Sequence, residues 1–224
     1  MNNIILRLGN IIKEYQHKDG KVFALDNVSL SVNEGDFVVV TGASGSGKTT
    51  LLLIIGGLLH ASSGTMEYDG IPISITGGNE MDHYRSSQVG FVMQNFALIP
   101  YLTASENVQL ALHNKTLNNR GKILRAEELL NWVGLGHRIN HYPKELSAGQ
   151  QQRVAIARAL ANNPSIILAD EPTGNLDPNL SKEILELLKK INVEQKTTVI
   201  MVTHSDFAAG YGNSHVYLDN GRIS

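Results

Sequence analysis

The sequence contains no cysteine, and this absence excludes disulfide bonds and metal sites built on thiolates. It also lacks an excess of positive charge, because 19 lysines and arginines stand against 21 aspartates and glutamates, for a formal net charge of −2. Composition therefore indicates no basic surface for nucleic acid or an anionic membrane, and we expect no nucleic-acid partner. The most apolar stretch, 51–59, is only nine residues long, whereas a membrane-spanning helix needs roughly 20.

Internal repeats, low-complexity segments and a secretory signal are also missing. The first ten residues have no cationic region followed by a long apolar core, so we expect no signal peptide. We expect a cytoplasmic protein that would act at a membrane only through a partner. The length of 224 residues fits one compact domain and is enough to bury a core without covalent staples.

Three short apolar runs rich in valine and isoleucine predict strands that are buried on both faces of a parallel sheet. Helical patterns separate the runs, and strands that alternate with helices indicate an α/β fold. The predicted strands are Phe37–Thr41, Ser165–Ala169 and Thr198–Thr203, and the predicted helices are Lys48–Leu59, Gln150–Ala161 and Pro178–Val193.

The sequence predicts antiparallel strands at both ends of the chain. Near the N-terminus, Ile4–Tyr15 and Val22–Val32 have strand patterns, with a turn or bulge expected between them at Asp26-Asn27. Near the C-terminus, the sequence Asp219-Asn220-Gly221 predicts the tight turn of a hairpin between residues 215–218 and 222–223.

The middle of the chain has few strand signals. Ala104–Leu112 and Gly121–Val133 have helical patterns instead. The sequence therefore predicts a helical subdomain of about residues 95–163, inserted into an α/β core made of residues 1–94 and 164–224 of a single domain, 1–224.

Residues 42–49 match the pattern G-x-x-x-x-G-K-[ST] and lie between a predicted strand and a predicted helix, as a phosphate loop requires. Glycines let backbone N–H groups turn toward a phosphate, and the helix adds the positive end of its dipole. The alternative is a glycine- and serine-rich turn that only connects the two elements. The candidate nucleotide-binding residues are Gly42, Ser44, Gly45, Ser46, Gly47, Lys48, Thr49 and Thr50, with Lys48 on the β- and γ-phosphates and Thr49 on Mg²⁺.

Polar side chains also follow the other two apolar runs, and ligands of open α/β sheets bind beyond the carboxyl ends of strands. If its strand neighbours that of the phosphate loop, Asp170 would bind Mg²⁺ and its waters. Glu171 would then polarise a water that attacks a γ-phosphate, and His204 would orient that water or sense the γ-phosphate. Alternatively, an acidic pair after a strand is a helix cap or a solvated turn, and a loop histidine is structural.

Residues 146–150, LSAGQ, and the following QQRVAIARAL resemble the signature motif of the nucleotide-binding subunits of ABC transporters. The resemblance extends from Tyr15 to His204, with the motifs in the family's order. It implies an ATPase that uses ATP and Mg²⁺. It also implies a phosphate-loop NTPase core with a mainly parallel sheet, N-terminal antiparallel strands and an inserted helical subdomain.

The resemblance also implies roles for residues outside the first motifs. Tyr15 resembles the aromatic residue that stacks on adenine, although a core aromatic at a strand end is the alternative. Gln94 resembles the residue that contacts Mg²⁺ or the attacking water. Asp177 resembles the acidic end of the loop between two nucleotide sites, and it also fits a helix N-cap before Pro178.

Ser147, Gly149 and Gln150 resemble the signature residues that contact a γ-phosphate held by the other subunit of a head-to-tail homodimer. A second helix N-terminus would supply N–H donors that one phosphate loop lacks. Ala148 stands where the family usually has glycine. We expect its methyl group to fit if the backbone φ is below zero, and we expect ATPase activity to be retained.

Residues 99–108, 134–147 and 169–177 are most similar to the branch that contains macrolide-exporter and lipoprotein-release ATPases. Cell-division and antimicrobial-peptide-resistance ATPases share much of the pattern. The resemblance implies a separate transmembrane permease, which would hold the chain at the inner face of the cell membrane. The alternative is a soluble ABC-type switch in cell division, DNA repair or translation that moves no solute.

An apolar cluster follows Gln94. It would be either a groove that receives a short helix of the permease or the small core of the helical subdomain. Its members are Phe96, Leu98, Ile99, Tyr101 and Leu102.

Overall fold

The computed structural model describes residues 3–18, 20–112 and 117–224. Strands and helices alternate through most of these ranges, as the sequence predicts. In chain order the elements are β1 Ile4–His17, β2 Gly20–Asn33, β3 Phe37–Thr41, α1 Lys48–Ile55, β4 Ser63–Tyr68, β5 Ile71–Ile73, α2 Asn79–Gln88, β6 Val89–Met93, α3 Ala104–Gln109, α4 Asn119–Trp132, a 3₁₀ turn Pro143–Glu145, α5 Ala148–Ala159, β7 Ile166–Asp170, α6 Pro178–Gln195, β8 Thr198–Val202, α7 Asp206–Ala209, β9 Ser214–Asp219 and β10 Arg222–Ile223.

The central sheet has the strand order β10-β9-β3-β8-β7-β6, and its neighbouring strands from β9 to β6 are parallel. Alternate side chains of each strand enter different cores. Val39 and Met201 pack with helices α3 to α6, whereas Val38 and Ile200 pack with α1 and the second sheet. Because both faces are covered, the positions of β3, β7 and β8 are apolar except for one terminal residue in each strand, which confirms the three predicted buried strands.

The second sheet is antiparallel, with the order β2-β1-β4-β5. The predicted N-terminal pair is therefore confirmed; for Asp26-Asn27 the turn between the strands is wrong, and the bulge is confirmed, within β2. Leu25 pairs with Lys13 and Val28 pairs with Ile11, so β2 carries one extra residue and bulges within the strand. Asn27 has a φ of 59°, a left-handed conformation that asparagine tolerates.

The C-terminal hairpin is confirmed, because β9 and β10 are antiparallel. Asn220 and Gly221 have φ values of 46° and 76°, as a two-residue hairpin turn requires. The sequence analysis missed β4, β5 and α2, although Asp69-Gly70 carries the same turn signal, with φ values of 50° and 74°. These strands are short and partly exposed, so no apolar run marks them.

The predicted helix Lys48–Leu59 is too long. Helix α1 ends at Ile55, and Gly57 has a left-handed φ of 67°. Gly56 lies so close to the ring of Phe91 that a side chain there would overlap it. The two glycines therefore end the helix and let the chain turn under the edge strand β6.

Between β6 and β7 the described residues form α3, α4, the 3₁₀ turn and α5, with no strand among them. Helices α3 and α4 correspond to the two predicted in this region. The division into a core and a helical subdomain with the boundaries given above stays a prediction. Within the part of the chain that the structure describes, no helix is long and apolar enough to cross a membrane.

Candidate active site

The loops that carry the candidate residues follow β3, β8 and β7, whose carboxyl ends lie at one edge of the central sheet. The condition set from the sequence, that β3 and β7 are neighbours, is not met, because β8 lies between them. Helix α1 nevertheless packs across both β8 and β7. The hydroxyl of Thr49, on its first turn, therefore donates a hydrogen bond of 3.1 Å to Oδ1 of Asp170.

Glycine is required at several positions of the loop between β3 and α1. Gly42, Gly45 and Gly47 have φ values of 147°, 78° and 103°, a region that disfavours other residues. A side chain at Gly42 would also collide with the carbonyl oxygen of Leu218, and one at Gly47 with that of Ala24. Strands β2 and β9 therefore press on the loop and fix its path.

The loop also contains a buried hydroxyl without a partner. Oγ of Ser46 is inaccessible and makes no hydrogen bond, while the N–H of Gly221 donates to the carbonyl of Ser46 at 3.0 Å. Ser44 and Gly45 form the exposed tip, and Thr50 is half-buried on the first turn of α1. A glycine cradle at a helix N-terminus with an unpaired hydroxyl fits a phosphate group.

Lys48 lies over this loop. Its Nζ donates hydrogen bonds of 2.8 Å to the carbonyl oxygens of Gly42 and Ala43, and only 9% of the residue is exposed. A buried ammonium held by neutral carbonyls, without a carboxylate in contact, is placed to take anionic oxygens as partners.

Thr49 and Asp170 supply two hard oxygen donors side by side. Burial raises the pKa of Asp170, and the hydrogen bond from Thr49 acts in the opposite direction. A cation next to this carboxylate would offset the cost of its burial. The donor set fits Mg²⁺, which binds few protein oxygens and takes its other ligands from water and phosphates.

Glu171 has a strained backbone and a well-defined side chain. Its φ is 44°, in the left-handed region, and such strain is often found at active sites. Oε2 accepts a hydrogen bond of 3.1 Å from the hydroxyl of Thr203, and Oε1 lies 2.7 Å from Nδ1 of His204. The structure thus brings Glu171 and His204 together, and the buried Thr203, which directly precedes His204, binds the other carboxylate oxygen.

Gln94 begins the loop after β6, residues 94–102, which we call the Gln loop. Its side chain is exposed and lies against Gly174, so close that a methyl group at position 174 would lie 2.7 Å from Nε2 of Gln94. The amide of Asn175 donates to the carbonyl oxygen of Gln94 at 2.9 Å. The segment after Glu171 therefore restrains Gln94 through both its backbone and its side chain.

Asp177 caps helix α6, because its carboxylate accepts hydrogen bonds from the N–H groups of Asn179 and Leu180 at 3.0 and 3.2 Å. The N-cap interpretation of this residue is confirmed, and its role between two nucleotide sites stays a prediction.

Helix α5 begins with a capping box. The hydroxyl of Ser147 accepts from the N–H of Gln150, and the side chain of Gln150 accepts from the N–H of Ser147. Gly149 is buried against Leu180, and Ala148 lies in the first turn of the helix and outside the positive-φ region. The condition for tolerating a methyl group at position 148 is therefore met.

Tyr15 lies near the end of β1 with 45% of its surface exposed. The ammonium of Lys13 lies 5.0 Å from the centre of its ring. Lys13 pairs with Leu25, and Leu25 lies behind Gly47 of the phosphate loop. An exposed ring two residues along the strand from that contact fits a stacking surface better than a core position.

Three residues that contact the site were missed as candidates from the sequence. Thr203 donates a hydrogen bond to Glu171, and Arg158 donates one to the Gln loop. The side chain of the buried Gln152 donates a hydrogen bond of 2.7 Å to the carbonyl oxygen of Pro172. Gln152 and Arg158 both lie on α5, but helical spacing alone does not predict which loop each side chain contacts.

Comparison with known proteins identifies relatives of the whole chain. A family model described as ABC transporter matches residues 25–174. The uncharacterized ABC transporter ATP-binding protein MJ0796 of Methanocaldococcus jannaschii is 45% identical over 98% of this chain and 95% of its own length. The macrolide export ATP-binding/permease protein MacB of Pasteurella multocida is 40% identical over 100% of this chain, which spans 34% of that protein.

Two solved structures share the fold. A dimeric, post-hydrolysis structure of the ATP-binding cassette MJ0796, bound to ADP and Pi, has a TM-score of 0.90 at 44% identity, and covers 98% of this chain and 97% of its own. CbiO1 from Clostridium perfringens, part of the ABC transporter complex cbiONQ, has a TM-score of 0.86 at 29% identity, and covers 99% of this chain and 87% of its own.

Proposed function

This chain belongs to the ABC transporter family as an ATP-binding domain with ATPase activity, and from that premise we propose that it hydrolyses ATP in a head-to-tail homodimer and thereby drives a separate membrane permease. The observation that carries the proposal is the hydrogen bond between Thr49 and Asp170, beside Lys48 and Glu171. It joins the phosphate loop to the acidic strand end at the point where a nucleotide's phosphates would lie.

The phosphate loop binds the nucleotide in this proposal. The ammonium of Lys48 exchanges its two carbonyl partners for phosphate oxygens, and the hydroxyl of Ser46 gains a partner. Mg²⁺, when bound to oxygens of Thr49, Asp170 and Gln94, would neutralise charge on the β- and γ-phosphates. Tyr15 supplies a surface for the adenine ring.

Glu171 is the proposed general base. Its carboxylate takes a proton from a water as the water oxygen bonds to the γ-phosphorus and the bond to ADP breaks. Thr203 and His204 fix one carboxylate oxygen each, so the group is oriented before the nucleotide arrives. Such preorganisation lowers the barrier more than charge alone does.

The second subunit completes the site. The capped N-terminus of α5, with Ser147, Gly149 and Gln150, presents N–H donors and the positive end of a helix dipole. We place it on the γ-phosphate bound by the partner. The dimeric structure of MJ0796 supports the formation of a dimer. ATP then joins the subunits, and loss of the γ-phosphate lets them separate.

The permease docks at the Gln loop in this proposal. A cavity of about 680 Å³, which we call the Gln-loop cavity, is lined by residues that include Leu58, Phe91, Met93, Ala97 and Arg158. Of the apolar cluster after Gln94, Leu98 packs on the core, while Tyr101 is 76% exposed. The cluster therefore has an inner side that supports the subdomain and an outer side that is open to a partner.

Export is the direction of transport that we propose, with macrolide-like cargo or lipoproteins as the candidate substrates. The relative MacB supports this choice because its name describes a macrolide exporter with its own permease, and CbiO1 supports a multisubunit complex. The chain would then be peripheral at the inner face of the membrane.

Glu171→Gln tests the catalytic part of the proposal. The variant and the parent are run on a sizing column with and without Mg·ATP, and phosphate release is measured. We expect an ATP-dependent dimer and at least about a hundredfold loss of hydrolysis, because the amide cannot accept the proton. Glu183→Gln, which removes the surface partner of Arg153, is the matched control and should behave as the parent. Undiminished hydrolysis without a dimer would refute the composite site.

Tyr101→Ala tests the docking part. In membrane vesicles that contain the permease, we expect transport and permease-stimulated hydrolysis to fall while the basal ATPase of the isolated chain is kept. Unchanged transport would exclude this surface, and an active ATPase that no permease stimulates would favour the soluble switch.

A further inference from the structure

The Gln loop contains a strained turn. Phe96 and Ala97 are consecutive and have φ values of 60° and 49°, although neither is a glycine, the residue that adopts this region without penalty. The N–H of Phe96 donates to the carbonyl of Met93 at 3.1 Å, and the N–H of Ala97 to that of Asn95 at 2.6 Å. The chain therefore makes a tight left-handed turn directly after Gln94.

One arginine binds this turn. Nη2 of Arg158 donates a hydrogen bond of 2.9 Å to the carbonyl oxygen of Phe96, and Nη1 donates one of 2.5 Å to the carbonyl oxygen of Ala97. The two partners lie 62 and 61 residues away in the chain. A planar guanidinium offers two N–H groups in a fixed geometry that fits two adjacent carbonyls, whereas a lysine ammonium has no fixed donor geometry and ends a more flexible stem.

Among the residues that the structure describes, Arg158 has these two carbonyls as its hydrogen-bond partners. None of the ion pairs between described residues includes it, and burial lowers the pKa of its guanidinium. A half-buried cation without a carboxylate depends on the two carbonyls, and the strained carbonyls depend on the cation. Loss of either half of the contact would therefore leave the other half without its hydrogen-bond partners.

We propose that Arg158 is a positioning residue for ATP hydrolysis, which holds the left-handed turn at Phe96 and Ala97 and so places Gln94. This inference rests on the proposed function, since it requires Gln94 to act in hydrolysis. Arg158 acts through Gln94 and does not itself touch the nucleotide.

The position of Arg158 gives the contact a second consequence. It lies on α5, whose N-terminus at Ser147 is roughly 16 Å away at the helical rise. The same rigid helix thus joins the residues that face the partner's γ-phosphate to the turn beside Gln94. Arg158 and Ala97 also line the Gln-loop cavity, so a docked permease would push on the same contact.

Steady-state ATPase kinetics of Arg158→Lys, Arg158→Met and Ala97→Gly, each corrected for the folded fraction, test the proposal. We expect Arg158→Lys to lower kcat about tenfold with KM for ATP changed less than twofold, because a small misplacement of a catalytic side chain affects the chemical step and not ground-state binding. Arg153→Met is the matched control. Arg153 lies on the same helix and binds the carbonyl of Val133 and the carboxylate of Glu183, so its loss should lower stability and keep kcat.

Rescue separates positioning from plain structural support. Glycine at position 97 adopts the left-handed turn without strain. Adding Ala97→Gly to Arg158→Lys should therefore raise kcat at least about threefold above that of Arg158→Lys alone. Combining Arg158→Lys with Gln94→Ala should lower kcat no further than Gln94→Ala alone, because both changes remove the same effect. If Arg158→Met fails to fold, the lysine variant and its rescue still decide the matter.

Unchanged kcat per folded molecule in Arg158→Lys, or additive effects with Gln94→Ala, would overturn the inference. Failure of the proposed function would be distinguishable, because the parent would then release no phosphate, or Glu171→Gln would hydrolyse ATP as fast as the parent. Both results are obtained without any change at position 158.

Discussion

Replacing Thr203 by valine should separate the stability of this protein from its catalysis. Thr203 is fully buried, and its hydroxyl makes two hydrogen bonds. It donates to Oε2 of Glu171 at 3.1 Å and accepts from the N–H of Ser205 at 3.1 Å. Valine has nearly the same shape as threonine but no hydroxyl, so the change removes both hydrogen bonds at nearly constant side-chain volume.

The cost follows from these two bonds. A hydrogen bond to a charged group contributes about 1.5–3 kcal/mol, and an unpaired N–H costs up to similar amounts when it is buried. Because Ser205 is half-exposed, water replaces part of its bond, and we expect a loss of about 2 kcal/mol in the free energy of unfolding. For a chain of this size that lowers Tm by roughly 4–8 °C.

Catalysis should fall as well. Without the hydroxyl of Thr203, the carboxylate of Glu171 keeps a side-chain contact only with His204, whose side chain is 68% exposed. We expect kcat to fall about tenfold, or 1.4 kcal/mol in the barrier, through misplacement of the carboxylate. Phosphate release by the folded fraction measures kcat, and nucleotide-free thermal and urea unfolding measure stability.

Thr198→Val is the control. Thr198 is also fully buried in β8, but it lies at the opposite end of the strand and accepts from the N–H of Gly35 at 2.9 Å. It should lose about 1 kcal/mol of stability and no kcat, and Thr203→Ser should keep kcat while losing about 1 kcal/mol of stability through its deleted buried methyl group. Parallel losses of kcat in Thr198→Val and Thr203→Val would refute the positioning of Glu171.

Four further predictions concern stability, its dependence on pH, nucleotide binding and turnover. The hydroxyl of Tyr84 is buried without a partner, so Tyr84→Phe should raise the free energy of unfolding by about 1 kcal/mol. Because burial raises the pKa of Tyr84, the folded chain keeps a proton that the unfolded chain loses above about pH 10. Parent stability should therefore fall as pH rises past that point, by more than in the phenylalanine variant, and equal urea midpoints at pH 7 and 10.5 would contradict this. Gly42→Ala should abolish binding of a fluorescent Mg·ATP analogue, since its Cβ meets the Leu218 carbonyl, whereas Gly210→Ala, at a φ of −61° and with its Cβ 3.5 Å from the carbonyl oxygen of Phe207, should bind the analogue as the parent does. Ala148→Gly should change kcat less than about twofold, because position 148 is helical, and a many-fold rise would show that the methyl group hinders the dimer.

The sequence determined those parts of this protein that depend on local chemistry. A glycine-rich loop ending in Gly47-Lys48-Thr49 specifies its own backbone, because only glycine adopts the required φ values. Runs such as Phe37–Thr41 specify buried parallel strands, since burial on both faces requires apolar residues throughout. The capping box at Ser147 and the cap at Asp177 are also local, and the family resemblance rests on such segments.

Other parts were decided only by the tertiary structure. The order of the strands puts β8 between β3 and β7, and this order brings Thr203 to Glu171. The contact of Arg158 with Phe96 and Ala97 joins residues about 60 positions apart. No local pattern encodes such contacts, because each depends on how separate elements pack. The sequence by itself therefore determined which chemical groups the site contains, and the packing of distant elements decided which of them touch.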